Sequence, residues 1–369
     1  MCGLFGIVRP EGLNQEARVR STQVLLALGH KSEERGIDAA GLALIMASSG
    51  RTQATKPTED DAKSTAQLID NALIIKDAKR FRELPFKEHL GSIASASTVI
   101  GHTRWATQGA ADQVINASPL LAGALIGTHN GDVNAQSVPS HEAFEKAAFG
   151  ETDSEVLYGA LDAVRGDRRM IVKVLKAVRG RAALAFVDRT RPDRLYLART
   201  ALSPLSYAYT QDGVLCWASN PDWFRQIEGE SKGELTFTEI TLIPEGHLLT
   251  INTLTTEIDN IRRFTATVRE RDLYLVNSAA YRCFTAEDKE ADKALARHKV
   301  ASTPLPKWPT LTAAPAIAYV PKARTSEENS TNSVGDTPRV DSDELEALCW
   351  AWGQFDHHTY NSILDASDE

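Results

Sequence analysis

The residue whose type and place most directly suggest chemistry is Cys2. Aminopeptidases remove an initiator methionine when the next side chain is small, and a chain beginning at Cys2 would carry a thiol and a free α-amine on one residue. An α-amino group titrates near about 7.7 to 8.0. At neutral pH a useful fraction is therefore unprotonated and can take the thiol proton, through water, to leave the nucleophilic thiolate. Gly3 and Gly6 beside it permit close backbone approach. Taken alone, a cysteine next to the initiator is an accident of sequence, so its company decides. The other cysteines, Cys216, Cys283 and Cys349, are widely spaced with no C-x-x-C pair, which suggests neither a disulfide framework nor a zinc site.

Five blocks follow in order. They are Met-Cys-Gly-Leu-Phe-Gly-Ile-Val at 1–8, Glu-Arg-Gly-Ile-Asp-Ala-Ala-Gly at 34–41, Gly-His-Thr-Arg-Trp-Ala-Thr-Gln-Gly at 101–109, His-Asn-Gly-Asp-Val-Asn at 129–134 and Glu-Thr-Asp-Ser-Glu-Val-Leu at 151–157. Together they resemble the class II, N-terminal-nucleophile glutamine amidotransferases, most of all the glutaminase domain of glucosamine-6-phosphate synthase, over roughly the first 250 residues. More loosely they are similar to amidophosphoribosyltransferase and asparagine synthetase. The Ser203-Pro204-Leu205 segment after Arg199 also resembles the family's Ser-Pro-Leu turn.

The resemblance implies a role for each matching residue. Cys2 is the nucleophile toward the glutamine carboxamide, and Asn130 and Gly131 form the oxyanion hole, the glycine permitting a turn. Arg104 clamps the glutamine α-carboxylate through its planar fork, and Asp153 pairs with the α-ammonium. Trp105 and Thr107 belong to the loop that lines and covers the pocket, and Arg35 lies near the nucleophile as a support. No cofactor or metal is implied. Singly, each has a plainer alternative: Arg104 a surface charge, Asp153 a helix N-cap, Asn130-Gly131 a hairpin turn, Trp105 a core residue. Two positions depart from the synthase, with Gln108 and Ser118 where it usually has histidines. Those changes weaken the match to the synthase more than the match to the wider family.

The elements that must position these residues are read from periodicity. Leu4 to Val8 and Gly41 to Ala47 are apolar strands, and 19–28, 142–148, 154–164 and 170–178 have helical spacing. Strands are expected over 182–187, 195–198, 214–218, 235–243 and 247–251, whereas the polar stretch 51–70 is a surface excursion. Residues 1–265 read as one α+β domain, and the resemblance implies a four-layer αββα sandwich of the N-terminal-nucleophile hydrolase type. Residues 266–369 read as an extension with a charged helix, a Pro/Ser/Thr-rich, partly disordered linker and an acidic tail containing Trp350 and Trp352.

Of 369 residues, 42% are hydrophobic and 24% charged, which suits a folded protein with ample core. A net charge of -8 gives no electrostatic footprint for nucleic acid or anionic membranes. With no signal-peptide pattern and no apolar run long enough to span a bilayer, a cytoplasmic setting is expected. The extension shows no sugar isomerase repeat, phosphoribosyl-binding loop or Ser-Gly-Gly-x-Asp loop that would consume ammonia. Three readings follow. The first is a glutaminase unit that acts on L-glutamine and passes ammonia to a partner carrying the acceptor site. The second is an amidohydrolase acting on a γ-glutamyl or related amide without transfer. The third is a non-catalytic glutamine-binding or assembly protein with the same fold.

Overall fold

The computed structural model describes residues 2–46 and 52–266. The expectations for the C-terminal helix, linker and aromatic tail lie outside them, as do Cys283 and Cys349. In chain order the strands are β1 (Gly3–Val8), β2 (Ala39–Ile45), β3 (Ala66–Ile69), β4 (Ala72–Asp77), β5 (Thr98–Arg104), β6 (Leu120–Ala122), β7 (Leu125–Val133), β8 (Gly180–Asp188), β9 (Arg194–Arg199), β10 (Ser206–Tyr209), β11 (Leu215–Ala218), β12 (Thr241–Leu242), β13 (His247–Asn252) and β14 (Ile258–Arg263). The helices are α1 (Gln15–Ser32), α2 (Glu59–Lys63), α3 (Leu90–Ser95), α4 (His141–Ala147), α5 (Asp153–Ala163), α6 (Arg168–Ala177) and α7 (Asp222–Glu230).

Eight strands form one sheet in the order β12-β10-β11-β1-β5-β2-β4-β3, and six form a second in the order β14-β13-β9-β8-β7-β6. Neighbouring strands run antiparallel throughout. Three apolar layers separate four layers of secondary structure. Phe5 and Ile7 face Val24, Leu28, Trp223 and Phe224 of α1 and α7 on one outer side. Leu4, Val8 and Ile100 meet Ile126, Ala185 and Leu197 between the sheets. Leu184 and Phe186 face Leu157, Leu161, Ile171 and Leu175 of α5 and α6 on the other outer side. The αββα sandwich is therefore the observed architecture.

Sequence dictates these layers through its two periods. Each long helix buries neighbours one, three and four apart, as with Val24, Leu25 and Leu28 or Ile171, Val174 and Leu175, and so presents a single stripe to its sheet. Central strands are covered on both faces, which is why β1, β2 and β8 are apolar or small-residue runs buried from end to end. The Asn14 side chain accepts from Ala17 N at 2.9 Å and starts α1, and Asp167 starts α6 in the same way.

Two of the stretches read from the sequence fold differently. The stretch 235–243 is a strand only at Thr241–Leu242, with an isolated bridge from Phe237 to Thr210. Leu235, Phe237 and Ile240 pack in the outer layer whereas Ile243 packs between the sheets, so the segment turns around the sheet edge and cannot stay extended. The 51–70 excursion is largely exposed as expected, but it ends in the edge strand β3.

At the centre of the larger sheet, Gly6 lies beneath the Trp217 ring. A Cβ there would stand 2.1 Å from Trp217 Cζ2 and 2.3 Å from Val99 O. Gly6→Ala should therefore lower the unfolding free energy by about 1 to 3 kcal/mol or more, as overpacking does in cores. Urea unfolding followed by tryptophan fluorescence measures it, and a variant as stable as wild type would contradict this packing.

Candidate active site

Strand alternation selects which side chains can meet. Leu4 and Ile100 face the space between the sheets, so Cys2, just before β1, and Arg104, at the end of β5, share their parity. The register Gly3↔Thr103 brings the two together at one end of adjacent strands. On the opposing sheet Ile126 faces the same space, and Asn130 shares its parity. One end of the interlayer is thereby lined by a thiol, a guanidinium and a carboxamide.

Cys2 Sγ lies 3.7 Å from the Trp105 carbonyl oxygen, and Arg35 Nε donates to Cys2 O at 3.1 Å. Arg35 is buried, and the structure brings it to the main chain of Cys2. Arg104 is buried too, which rules out the surface-charge alternative. Its guanidinium donates to the carbonyls of Gln108 at 2.6 Å, Ala110 at 3.1 Å and Gly109 at 3.2 Å, folding 104–110 into a turn around itself. Burial pulls its pKa below the ordinary arginine value, an effect opposed by Cys2, Asp38 and Asp153 nearby. Trp105 is 38% exposed and is no core residue, and Thr107 and Gln108 lie exposed on the same turn.

Asn130 and Gly131 lie inside β7, not in a hairpin turn. The expected turn at Gly131 is thus corrected, and the glycine is needed for another reason. Its φ is +151° and a Cβ would stand 1.9 Å from Arg181 O on β8. Asn130 is fully buried, with Nδ2 3.4 Å from Ser219 Oγ. Asp153 is not an N-cap: Thr152 holds that position, and Asp153 is the first residue of α5. Its carboxylate accepts from Val133 N at 2.7 Å, which anchors it to the end of β7 beside Asn130 and Gly131. The helix N-terminus there favours its negative charge. A groove of about 440 Å³ lined by Gln108, Asp132, Val133, Asn134, Glu145 and Arg181, among others, opens beside this point.

Sequence reasoning missed the residues that hold these groups in place. Asp38 Oδ2 accepts from Ala106 N at 2.8 Å while Asp38 N donates to Arg104 O at 2.9 Å, pinning the turn that carries Trp105. Asn116, buried, donates from Nδ2 to Ala110 O at 3.2 Å and accepts at Oδ1 from Glu151 N at 3.0 Å. Since Ala110 O also receives Arg104, Asn116 joins the Arg104 turn to the segment leading into Asp153. Asp38 falls within a quoted block, but nothing in sequence spacing reveals either contact. Cys216, buried in the outer layer, has its thiol pushed up by desolvation, which keeps it from the thiolate form.

Two antiparallel sheets stacked between helices, with Cys2 at one end of the interlayer, are the architecture that the resemblance to class II glutamine amidotransferases implies. The chain is similar to the glutamine–fructose-6-phosphate aminotransferases (isomerizing). It is 33% identical to that of Zymomonas mobilis over 215 residues, 57% of this chain and 30% of the relative. It is 31% identical to that of Streptococcus mutans over 212 residues, 56% of this chain and 30% of the relative. The matched segment thus spans under a third of these relatives. Among solved structures, the B. subtilis glutamine phosphoribosylpyrophosphate amidotransferase complexed with ADP and GMP aligns with a TM-score of 0.48 and 19% identity. That alignment covers 72% of this chain and 50% of the other. No family model matches. Among the described residues no helix is long and apolar enough to cross a membrane.

His102, buried on the same face as Arg104, is held near its neutral form. Nε2 donates to His129 O at 3.1 Å, Nδ1 has no partner among the described residues, and burial first, with the Arg104 charge adding to it, pushes the pKa down to about 3. The unfolded chain takes up this proton near pH 6.5, so stability is full above that value and is lost as pH falls toward about 3. His102→Gln should flatten the stability profile between pH 6 and 4 by roughly one proton, about 1.4 kcal/mol per pH unit. Urea unfolding across that range checks it, and an unchanged slope would contradict the assignment.

Proposed function

We propose that this domain is a glutaminase that removes ammonia from L-glutamine, with Cys2 as nucleophile once Met1 is gone. The observation that carries the reading is the convergence of Cys2, Arg104 and Asn130 on one end of the interlayer, with Asp153 anchored to the strand bearing Asn130 and Gly131. Arg104 and Asp153 supply opposite buried charges for the two ends of a free amino acid. They leave the side-chain amide to reach the thiol. A glutamine within a peptide lacks both charges and is rejected.

In the reaction the Cys2 α-amine takes the thiol proton and sulfur bonds to the carboxamide carbon. The carbonyl electron pair moves onto oxygen, where Asn130 Nδ2 and the Gly131 N–H stabilise it. Collapse of that intermediate breaks the C–N bond, and the departing nitrogen takes the proton from the ammonium group and leaves as ammonia. Water then attacks the γ-glutamyl thioester, the C–S bond breaks, and glutamate and the thiol are restored. Water exclusion around the thioester falls to Trp105 and Thr107 on the exposed turn. Arg35 fixes the carbonyl of the nucleophile's own residue. The ammonia goes to an acceptor site carried by a partner protein. A cytoplasmic setting would keep the thiol reduced.

Glutamate release from glutamine, measured with the intact mass of the chain, tests this reading. Wild type should show loss of Met1 and release glutamate, and Cys2→Ala should lower the rate by at least about a thousandfold. Arg104→Ala should raise KM for glutamine by about tenfold or more. Retained Met1 with no activity would favour a non-catalytic binding protein. Faster hydrolysis of γ-glutamyl amides than of glutamine would favour the amidohydrolase.

A further inference from the structure

Ser219 follows β11 and is fully buried against the residue two places beyond Cys2. Its N–H donates to Leu4 O at 2.8 Å, and its Oγ accepts from Leu4 N at 2.9 Å. The same Oγ stands 3.4 Å from Asn130 Nδ2 on the opposing sheet. In this arrangement two groups lack a counterpart. Asn130 Oδ1 is buried with no partner among the described residues, and the Ser219 hydroxyl, already facing two N–H donors, has no described acceptor for its own hydrogen. A buried carbonyl oxygen without a donor has given up its water for nothing in return.

Half a turn of the Asn130 carboxamide exchanges its oxygen and nitrogen without altering its shape or packing. Both defects then vanish together. Ser219 accepts from Leu4 N–H and turns its own hydrogen toward Asn130 Oδ1, across the 3.4 Å that separated Oγ from Nδ2. The Asn130 amide nitrogen then stands where Oδ1 stood, a place with no described hydrogen-bond partner, and is the donor available to a bound species. We propose that Ser219 is a positioning residue: its hydroxyl holds the Asn130 carboxamide by the oxygen, so that Nδ2 is reserved for the negative oxygen formed during attack by Cys2. The inference rests on the glutaminase reading. It adds that the nucleophile strand and the oxyanion donor are registered to one another through a single hydroxyl, since Ser219 grips Leu4 by both main-chain groups while orienting Asn130.

The test compares the full chain with Ser219→Ala and Ser219→Thr for glutamine kinetics, melting temperature and the rate of Cys2 alkylation by iodoacetamide. Alkylation displaces iodide at a saturated carbon and forms no oxyanion, so it reports the thiol alone. Ser219→Ala should lower kcat about ten- to hundredfold, leave KM within about threefold and leave alkylation within about twofold. Ser219→Thr, which keeps the hydroxyl, should recover most of kcat if its melting temperature shows a folded protein; otherwise the contrast between kcat and alkylation in Ser219→Ala decides. An unchanged kcat in Ser219→Ala overturns the inference, as does a parallel loss of alkylation, KM and kcat, which marks a merely structural role. A wild-type chain whose Cys2 alkylates but which releases no glutamate overturns the functional reading itself, and the role given to Ser219 with it.

Discussion

The pairing of β1 with β5 in the register Gly3↔Thr103 is the constraint from which the site follows. It places Cys2 at the level of Arg104 and turns both toward the second sheet. Because side chains alternate across a strand, a slip of one residue would send Cys2 and Leu4 to the helical side and bring Phe5 and Ile7 into the interlayer. The core thus enforces that placement. Phe5 and Ile7 fit only against α1 and α7, and Leu4 and Val8 only between the sheets. Gly6 tightens this choice, since only hydrogen fits beneath Trp217.

The second sheet completes the site through an equally close approach. Gly131 lets β7 lie against Arg181 O where any side chain would collide, and Val133 N at the end of that strand holds the Asp153 carboxylate. Buried charge here is held by hydrogen bonds to main-chain groups more than by partner charges. Arg104 rests on three carbonyls and Asp153 on an amide. Such bonds offset part of the cost of burying a charged side chain.

Much of this was legible in the sequence, and what was not has a physical reason. Helices α1, α4, α5 and α6 and the runs of β1, β2, β8 and β13 declare themselves by period and composition, and the candidate site residues by five ordered blocks, whereas α2, α3 and α7 do not. Asn130-Gly131 misleads because the same dipeptide is ideal for a hairpin, and only the neighbouring β8 backbone reveals why a glycine is needed in a strand. Asp153 misleads because an acid before a helix usually caps it, whereas here Thr152 takes that place and the carboxylate turns to β7. Asp38, Asn116, His102 and Ser219 could not be assigned from spacing at all. Their partners lie far away in the chain, and an ordinary polar residue shows its purpose only when the fold delivers the other half of its hydrogen bond.

The account stands on Cys2 being a nucleophile in a pocket that recognises glutamine. Labelling the full chain with a diazoketone analogue of glutamine, followed by peptide mapping, tests that directly: the sulfur bonds to the diazo carbon, which takes up a proton as dinitrogen departs. The account predicts one label, on Cys2 and not on Cys216, Cys283 or Cys349, with glutamine protecting against it. Labelling spread over several cysteines, or on Cys2 without protection by glutamine, would contradict it.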